Sequence, residues 1–316
     1  MNHQRRTRIG VIALLVALGL VMAACSSSKT SGSDSGSSSG TALRIVPAQV
    51  PEDITLTQVY GQYLKAKGYK VDIQPPAGQR EDLYPKLDKG DIDLLIDYAG
   101  SATTFLDKNS TSSPDSAKTY ANLQAALKSS KTPAEALDYA KNAEDKNALV
   151  VLKTFADKNK LKKISDLKAV EGQVVLGGSA QCPDRADCLK GYEDPAKYGL
   201  KFKSFKPLEY GPPLAAALKS GDVQAAQYQT TAPEIGTGDL VALVDDKGML
   251  SADNIVPVLA TKASKAFGSK LTQDINALTA KLTTKDITAW NKSTDIDKQE
   301  PADVAKKWLQ DKGLLK

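Results

Sequence analysis

The residues most able to hold another molecule fall in two short runs, Asp97-Tyr98-Ala99-Gly100-Ser101 and Tyr228-Gln229-Thr230-Thr231, each at the end of a β-rich segment. They offer phenols, hydroxyls, amides and a carboxylate, the groups that orient a small polar ligand. Ser101 or Thr103, and Thr231 before Pro233, are suited to cap following helices, whose free amides attract anions. Covalent chemistry finds less support. The single histidine is His3, so the rest of the chain has no Ser-His or Cys-His pair and no histidine-ligated zinc. Composition leaves a Ser-Lys or carboxylate-pair enzyme open. Asp91, Asp93 and Asp222 read as turn residues, not metal ligands.

The two runs occupy matching points of a repeated plan. Leu83 to Thr104 reads LYPKLDKGDIDLLIDYAGSATT, and 131 residues later Leu214 to Thr231 reads LAAALKSGDVQAAQYQTT. Leu83 and Leu87, like Leu214 and Leu218, are one helical turn apart; Gly90 and Gly221 suit the left-handed residue that ends a helix, and a strand follows. Ligands of open parallel sheets lie beyond the strands' carboxyl ends. The repeat therefore predicts two similar lobes with their polar tips on the ligand side.

Around this core the chain is punctuated clearly. Residues 1–24 combine basic His3, Arg5, Arg6 and Arg8 with an apolar run from Ile9 to Met22, and Ala23-Ala24-Cys25 resembles a lipoprotein cleavage site. Cys25 is then the lipidated first residue of the mature chain; the alternative is an uncleaved anchor helix. Residues 25–40 form a Ser/Gly-rich tether with nothing apolar to bury. Removing the three leader arginines takes the formal charge from +5 to +2, which gives no reason to expect a nucleic-acid partner. With Cys25 lipidated, Cys182 and Cys188 remain as a pair in an exported protein, predicting a disulfide across CPDRADC; two reduced thiols are the alternative.

The 276 residues from Thr41 to Lys316 are ample for two linked α/β lobes. Strands are predicted at 43–46, 69–73 and DLLIDY, with a helix from Leu56 to Lys67, which gives a mostly parallel sheet with helices on its faces. A helical pattern covers Ser116 to Lys146. Strands at 148–152, 174–177, 198–205, VQAAQY and 240–244 build a second unit, and 255–259 returns to the first. From Ser264 onward the pattern is helical, with Trp290 and Trp308 as packing residues. The expected domains are residues 41–147 with 255–316 as lobe I and 148–254 as lobe II. Two adjacent crossings make a hinge around a cleft.

LRIVPAQ, GDIDLLIDYAGSATTFL, LKKISDL, LGGSAQCPDR, FKPLEYGPPLAAALKSGDVQAA, TTAPEI, LVDDKGML, NIVPV and PADVAKKWL, in that order, resemble the substrate-binding lipoproteins of osmoprotectant ABC importers, the glycine betaine, carnitine and choline family. The resemblance implies a bilobed periplasmic-binding-protein fold of type II, no enzymatic activity, no cofactor and no metal. It implies a monomer, lipid-anchored on the outer face of the cell membrane, that delivers its ligand to a permease with ATPase subunits. It also implies an aromatic cage for a quaternary ammonium, with ring faces attracting the charge. Tyr98 in DYAG resembles the family's cage tyrosine, and Arg185 in QCPDR its carboxylate partner, unless Arg185 only pairs with Asp184 or Asp187. Tyr228, Gln229 and Thr230 fall near a further aromatic of the family. Gln49 and Asn254 stand where members carry other ligand contacts, and Ser101 completes the expected set. Tyr210 fits a turn or the cleft.

Overall fold

The first lobe begins where a strand-forming run meets a proline. In the structure, a computed structural model that describes residues 42–110 and 113–315, β1 (Leu43–Ile45) is followed by α1 (Pro51–Ala66), β2 (Val71–Ile73), α2 (Arg80–Lys89), β3 (Leu94–Tyr98), α3 (Ala99–Leu106), α4 (Ser116–Ser130) and β4 (Ala134–Ala136). The leader 1–24, the lipidation candidate Cys25 and the tether 25–40 lie outside the described residues. The chain goes on through β5 (Asn147–Leu152), α5 (Lys153–Asn159), β6 (Val175–Gly178), α6 (Leu189–Glu193), β7 (Ser204–Pro207), α7 (Pro212–Ser220), β8 (Ala225–Gln229) and β9 (Leu240–Ala242). It returns as β10 (Ile255–Ala260), α8 (Thr261–Phe267), α9 (Ser269–Thr279), α10 (Thr284–Asn291) and α11 (Pro301–Asp311).

The repeated plan folds as a repeated plan. Helices α2 and α7 end at Gly90 (φ 75°) and Gly221 (φ 81°), in the left-handed region where a side chain is disfavoured. Each is followed by a strand of its own sheet, in the orders β2-β1-β3-β10-β4 and β7-β6-β8-β5-β9. In each sheet four of the five strands run the same way, and one is reversed: β10 is antiparallel to its neighbours β3 and β4, and β5 to its neighbours β8 and β9. The mostly parallel sheet expected of the first lobe is found in both sheets, and the one reversed strand in each has one physical reason. β10 and β5 emerge from the crossings between the sheets, so Ile255 starts opposite Tyr98 and Asn147 opposite Gln229, and each must run back the other way.

Other boundaries move as well. Helix α1 starts at Pro51 rather than Leu56, because proline at the first helical position and Glu52 and Asp53 behind it favour a helix start. The helical pattern expected up to Lys146 stops at Ser130, ahead of Pro133, and Ala134–Ala136 pairs with β10 as an edge strand. The strand expected from Tyr198 begins only at Ser204. Ser101 and Thr103 lie inside α3 instead of capping it, and Thr231 precedes only a 3-10 turn at Ile235–Thr237.

One apolar cluster packs around the first sheet and includes Leu56, Leu94, Ile255 and Leu309; two others cover the faces of the second, around Leu149 and Leu218. Cys182 and Cys188 are buried and disulfide-bonded, closing the loop after β6. The crossings at 137–146 and 243–254 pair with each other: the Asp145 amide donates to the Asp253 carbonyl (3.0 Å) and Asn254 Nδ2 to the Ala140 carbonyl (3.0 Å). Among the described residues no helix is long and apolar enough to cross a membrane.

The buried indoles of Trp290 and Trp308 meet edge to face with centroids 5.0 Å apart, joining α10 to α11. Truncating a buried aromatic of this kind costs about 3–5 kcal/mol. Trp308→Ala is expected to lose that much in urea unfolding; a loss under about 1 kcal/mol, the scale of a surface change, would contradict the packing role.

Candidate ligand-binding site

The edge where β3 and β8 end faces a cavity of about 400 Å³. The first sheet's side supplies Glu52, Asp53, Arg80, Asp97, Tyr98 and Asn291, the crossings Asp145 and Asp253, and the second sheet's side Tyr210, Gln229 and Thr231. Its charged lining is unbalanced. Among the described residues, six carboxyl groups, those of Glu52, Asp53, Asp97, Asp145, Asp253 and Asp295, share the wall with one cation, Arg80.

That cation is already engaged. Arg80 Nε and Nη2 donate to Asp97 Oδ1 at 2.9 and 2.5 Å, and Asp97 also accepts from the Tyr84 hydroxyl (3.1 Å) and the Tyr98 amide (2.7 Å). Asp253 sits over the start of α3 and accepts from the amides of Gly100 (2.8 Å) and Ser101 (3.0 Å) and from Ser101 Oγ (2.5 Å). A carboxylate there complements the positive end of the helix.

The remaining acids are served sparsely. The Tyr98 hydroxyl lies 2.5 Å from Glu52 Oε1 and 2.9 Å from Asp53 Oδ1, yet it has one hydrogen to give. Glu52 Oε2 accepts from Asn291 Nδ2 (2.5 Å), which also donates to the Thr231 carbonyl (2.9 Å), and Asp145 accepts from Thr231 Oγ1 (2.6 Å). Burial, the largest cause in each case, drives these carboxyls upward: Asp53 to about 7, with the charges of Asp97 and Glu52 adding to it, and Asp253 to about 6 against its hydrogen bonds from Ser101. Glu52 is raised by burial against the Tyr98 and Asn291 hydrogen bonds, and Asp145 is raised by burial and then by the charge of Glu52.

The structure brings some of the sequence-predicted residues together and sets others aside. Tyr98, Ser101 and Gln229 line the cavity. Tyr228 is buried behind it, its ring against that of Tyr210 (5.3 Å) and its hydroxyl on the Gly211 carbonyl, so the second side's wall ring is Tyr210. Thr230 and Asn254 are not in its lining; they bind backbone where the crossings meet, Thr230 Oγ1 donating to the Glu144 carbonyl and Asn254 Nδ2 to that of Ala140. Gln49 is exposed, with its amide on the Gly78 carbonyl. Arg185 lies in an adjoining chamber, where Asp187 takes its guanidinium through Nε (2.9 Å) and Nη2 (2.6 Å). Glu52, Asp53, Asp145 and Asn291 were not anticipated. Pro51 followed by two acids was the sequence signal for the first two; no signal marked the others.

The profile of the family described as the substrate binding domain of ABC-type glycine betaine transport systems matches residues 41–311. The chain belongs to this family. A curated substrate-binding relative, the carnitine transport binding protein OpuCC of Listeria monocytogenes, is 29% identical over 162 residues, 51% of either chain, so the chain spans about half the length of the curated relatives it matches. A crystal structure of a glycine betaine/carnitine/choline ABC transporter superposes with a TM-score of 0.79 at 23% identity, over 86% of this chain and 99% of the other. Apo YehZ from Escherichia coli gives 0.76 at 22% identity, over 87% and 100%. The bilobed periplasmic-binding-protein fold is thereby shared.

Carboxyls whose pKa is raised on folding contribute stability at low pH that is lost as pH rises through the folded value. For Asp53 and Asp253 the window runs from 3.8 to about 7 and to about 6. The ligand-free protein should therefore melt at a lower temperature at about pH 8 than at about pH 5. Asp53→Asn should remove the upper part of that fall in calorimetry; an unchanged profile would contradict the burial of this carboxyl.

Proposed function

We propose that the chain is the lipid-anchored, extracytoplasmic binding protein of an ABC importer, and that it captures a small organic cation between its lobes and delivers it to the permease. The family supports the importer role. The observation that carries the charge of the ligand is the acid-lined cavity whose one guanidinium is held by Asp97. A zwitterion such as glycine betaine or carnitine brings a carboxylate that finds no free arginine among the described residues, since Arg80 is taken by Asp97 and Arg185 by Asp187, and that is repelled by Glu52, Asp145 and Asp253 at a pH where these are ionised. Of the quaternary-ammonium osmoprotectants expected from the sequence, the cationic choline type fits this charge and the zwitterions do not.

The paired crossings at 137–146 and 243–254 are the hinge of this reading, with residues 41–147 and 255–316 closing on 148–254. Titration calorimetry of the full chain in detergent should show choline-type or amine cations binding at least about tenfold more tightly than glycine betaine, the discrimination expected of like-charge juxtaposition. A tighter betaine would reverse the assignment of charge. For the anchor, Cys25→Ser is expected to move the protein from the detergent phase to the aqueous phase on Triton X-114 partition; equal partitioning of the two proteins would remove the lipid from this reading.

A further inference from the structure

Resting on that cationic reading, we propose that the ligand is a hydrogen-bond-donating cation, with a primary or secondary ammonium or a guanidinium, recognised by Glu52, Asp53 and Asp145 and selected against full N-methylation. The wall offers acceptors whose own donors have run out. One Tyr98 hydrogen lies between Glu52 and Asp53, and Thr231 alone serves Asp145, through its hydroxyl and its backbone amide. Asn291, 5% exposed, gives its amino group to Glu52 and the Thr231 carbonyl and so fixes the Glu52 carboxyl at the wall. A buried acceptor without a donor is costly, and an N–H group brought by the ligand removes that cost.

A quaternary ammonium has no N–H to give, and it is held instead by ring faces. Among the described residues, no tryptophan or phenylalanine lines the chamber. Of its tyrosines, Tyr84 and Tyr98 point their hydroxyls at Asp97 and at the Glu52/Asp53 pair, which leaves Tyr210 as the wall ring not tied to a carboxylate by a hydrogen bond. Both tryptophans pack against each other instead. An inorganic cation fits no better, because among the described residues no group of three or more His, Cys, Asp or Glu side chains is placed to hold a metal ion. The set matches an ammonium or guanidinium head at the Glu52/Asp145 end, with its carbon stem along Leu95 and Ile96.

The test is a methylation series at constant charge: ethanolamine, N-methylethanolamine, N,N-dimethylethanolamine and choline, with methylguanidine and putrescine beside them, titrated into the full chain in detergent at about pH 8. Affinity is expected to fall with each methyl group and by at least about tenfold from ethanolamine to choline, as for a site that loses the hydrogen bonds it was built to make. Glu52→Gln and Asp145→Asn should each compress that ratio toward one; the wild-type series stands as a test even if either variant fails to fold. Choline binding as tightly as ethanolamine overturns this inference and leaves the cationic reading standing. Binding by glycine betaine alone, or by no amine, guanidine or choline at all, overturns both.

Discussion

A single phenolic hydrogen, that of Tyr98, serves two buried carboxylates, and much of the site follows from that shortage. Carboxylates are buried at high cost unless they are paired or hydrogen-bonded. The fold meets this cost in full for Asp97, with a guanidinium, a phenol and an amide, and for Asp253, with a helix start and a serine. It meets it only in part for Glu52, Asp53 and Asp145. The unsatisfied acids share one cavity, so the free energy withheld in folding is available to a molecule that brings positive charge and donors.

The two sheets repeat each other in order, in the reversal of one strand and in the glycine that ends the helix before the cleft strand, yet their tips do different chemistry. At the end of β3 stand Asp97 and Tyr98; at the matching end of β8 stand Tyr228 and Gln229, with the ring of Tyr228 turned into the core against Tyr210. The first lobe therefore supplies charge, while the second supplies an aromatic wall and amide and hydroxyl groups. Architecture constrains where the tips lie, and side-chain identity sets what they hold.

The sequence made the architecture legible because periodicity and glycine placement are local signals: Leu83, Leu87 and Gly90 recur as Leu214, Leu218 and Gly221 whatever surrounds them. Tyr98, Ser101 and Gln229 were legible for the same reason, being at strand tips. Glu52 and Asp53 precede the first apolar residue of α1, so apolar periodicity does not mark them, although Pro51 and two acids are how a helix with a charged first turn begins. Asp145, Asp253 and Asn291 come from a crossing, from its partner crossing and from the far end of the chain, and only tertiary pairing brings them to one wall. Arg185 follows the alternative that its neighbours offer: Asp187, two residues along, takes its guanidinium through Nε and Nη2.

Placing acids on the crossings themselves has a consequence for closure. Asp145 and Asp253 are joined through the backbone between the sheets, while Glu52 comes from α1 and Thr231 from beyond β8. Bringing the lobes together over an empty cavity crowds like charges in a medium of falling dielectric, where they either repel or must take up protons. A cation among them turns the same geometry from repulsive to attractive. A ligand can drive a conformational change only by the difference between its affinities for the two states, and on the proposed reading that difference arises from carboxyls carried on the crossings themselves. On the proposed reading, the acids that make the cleft costly to bury also keep it from closing without cargo.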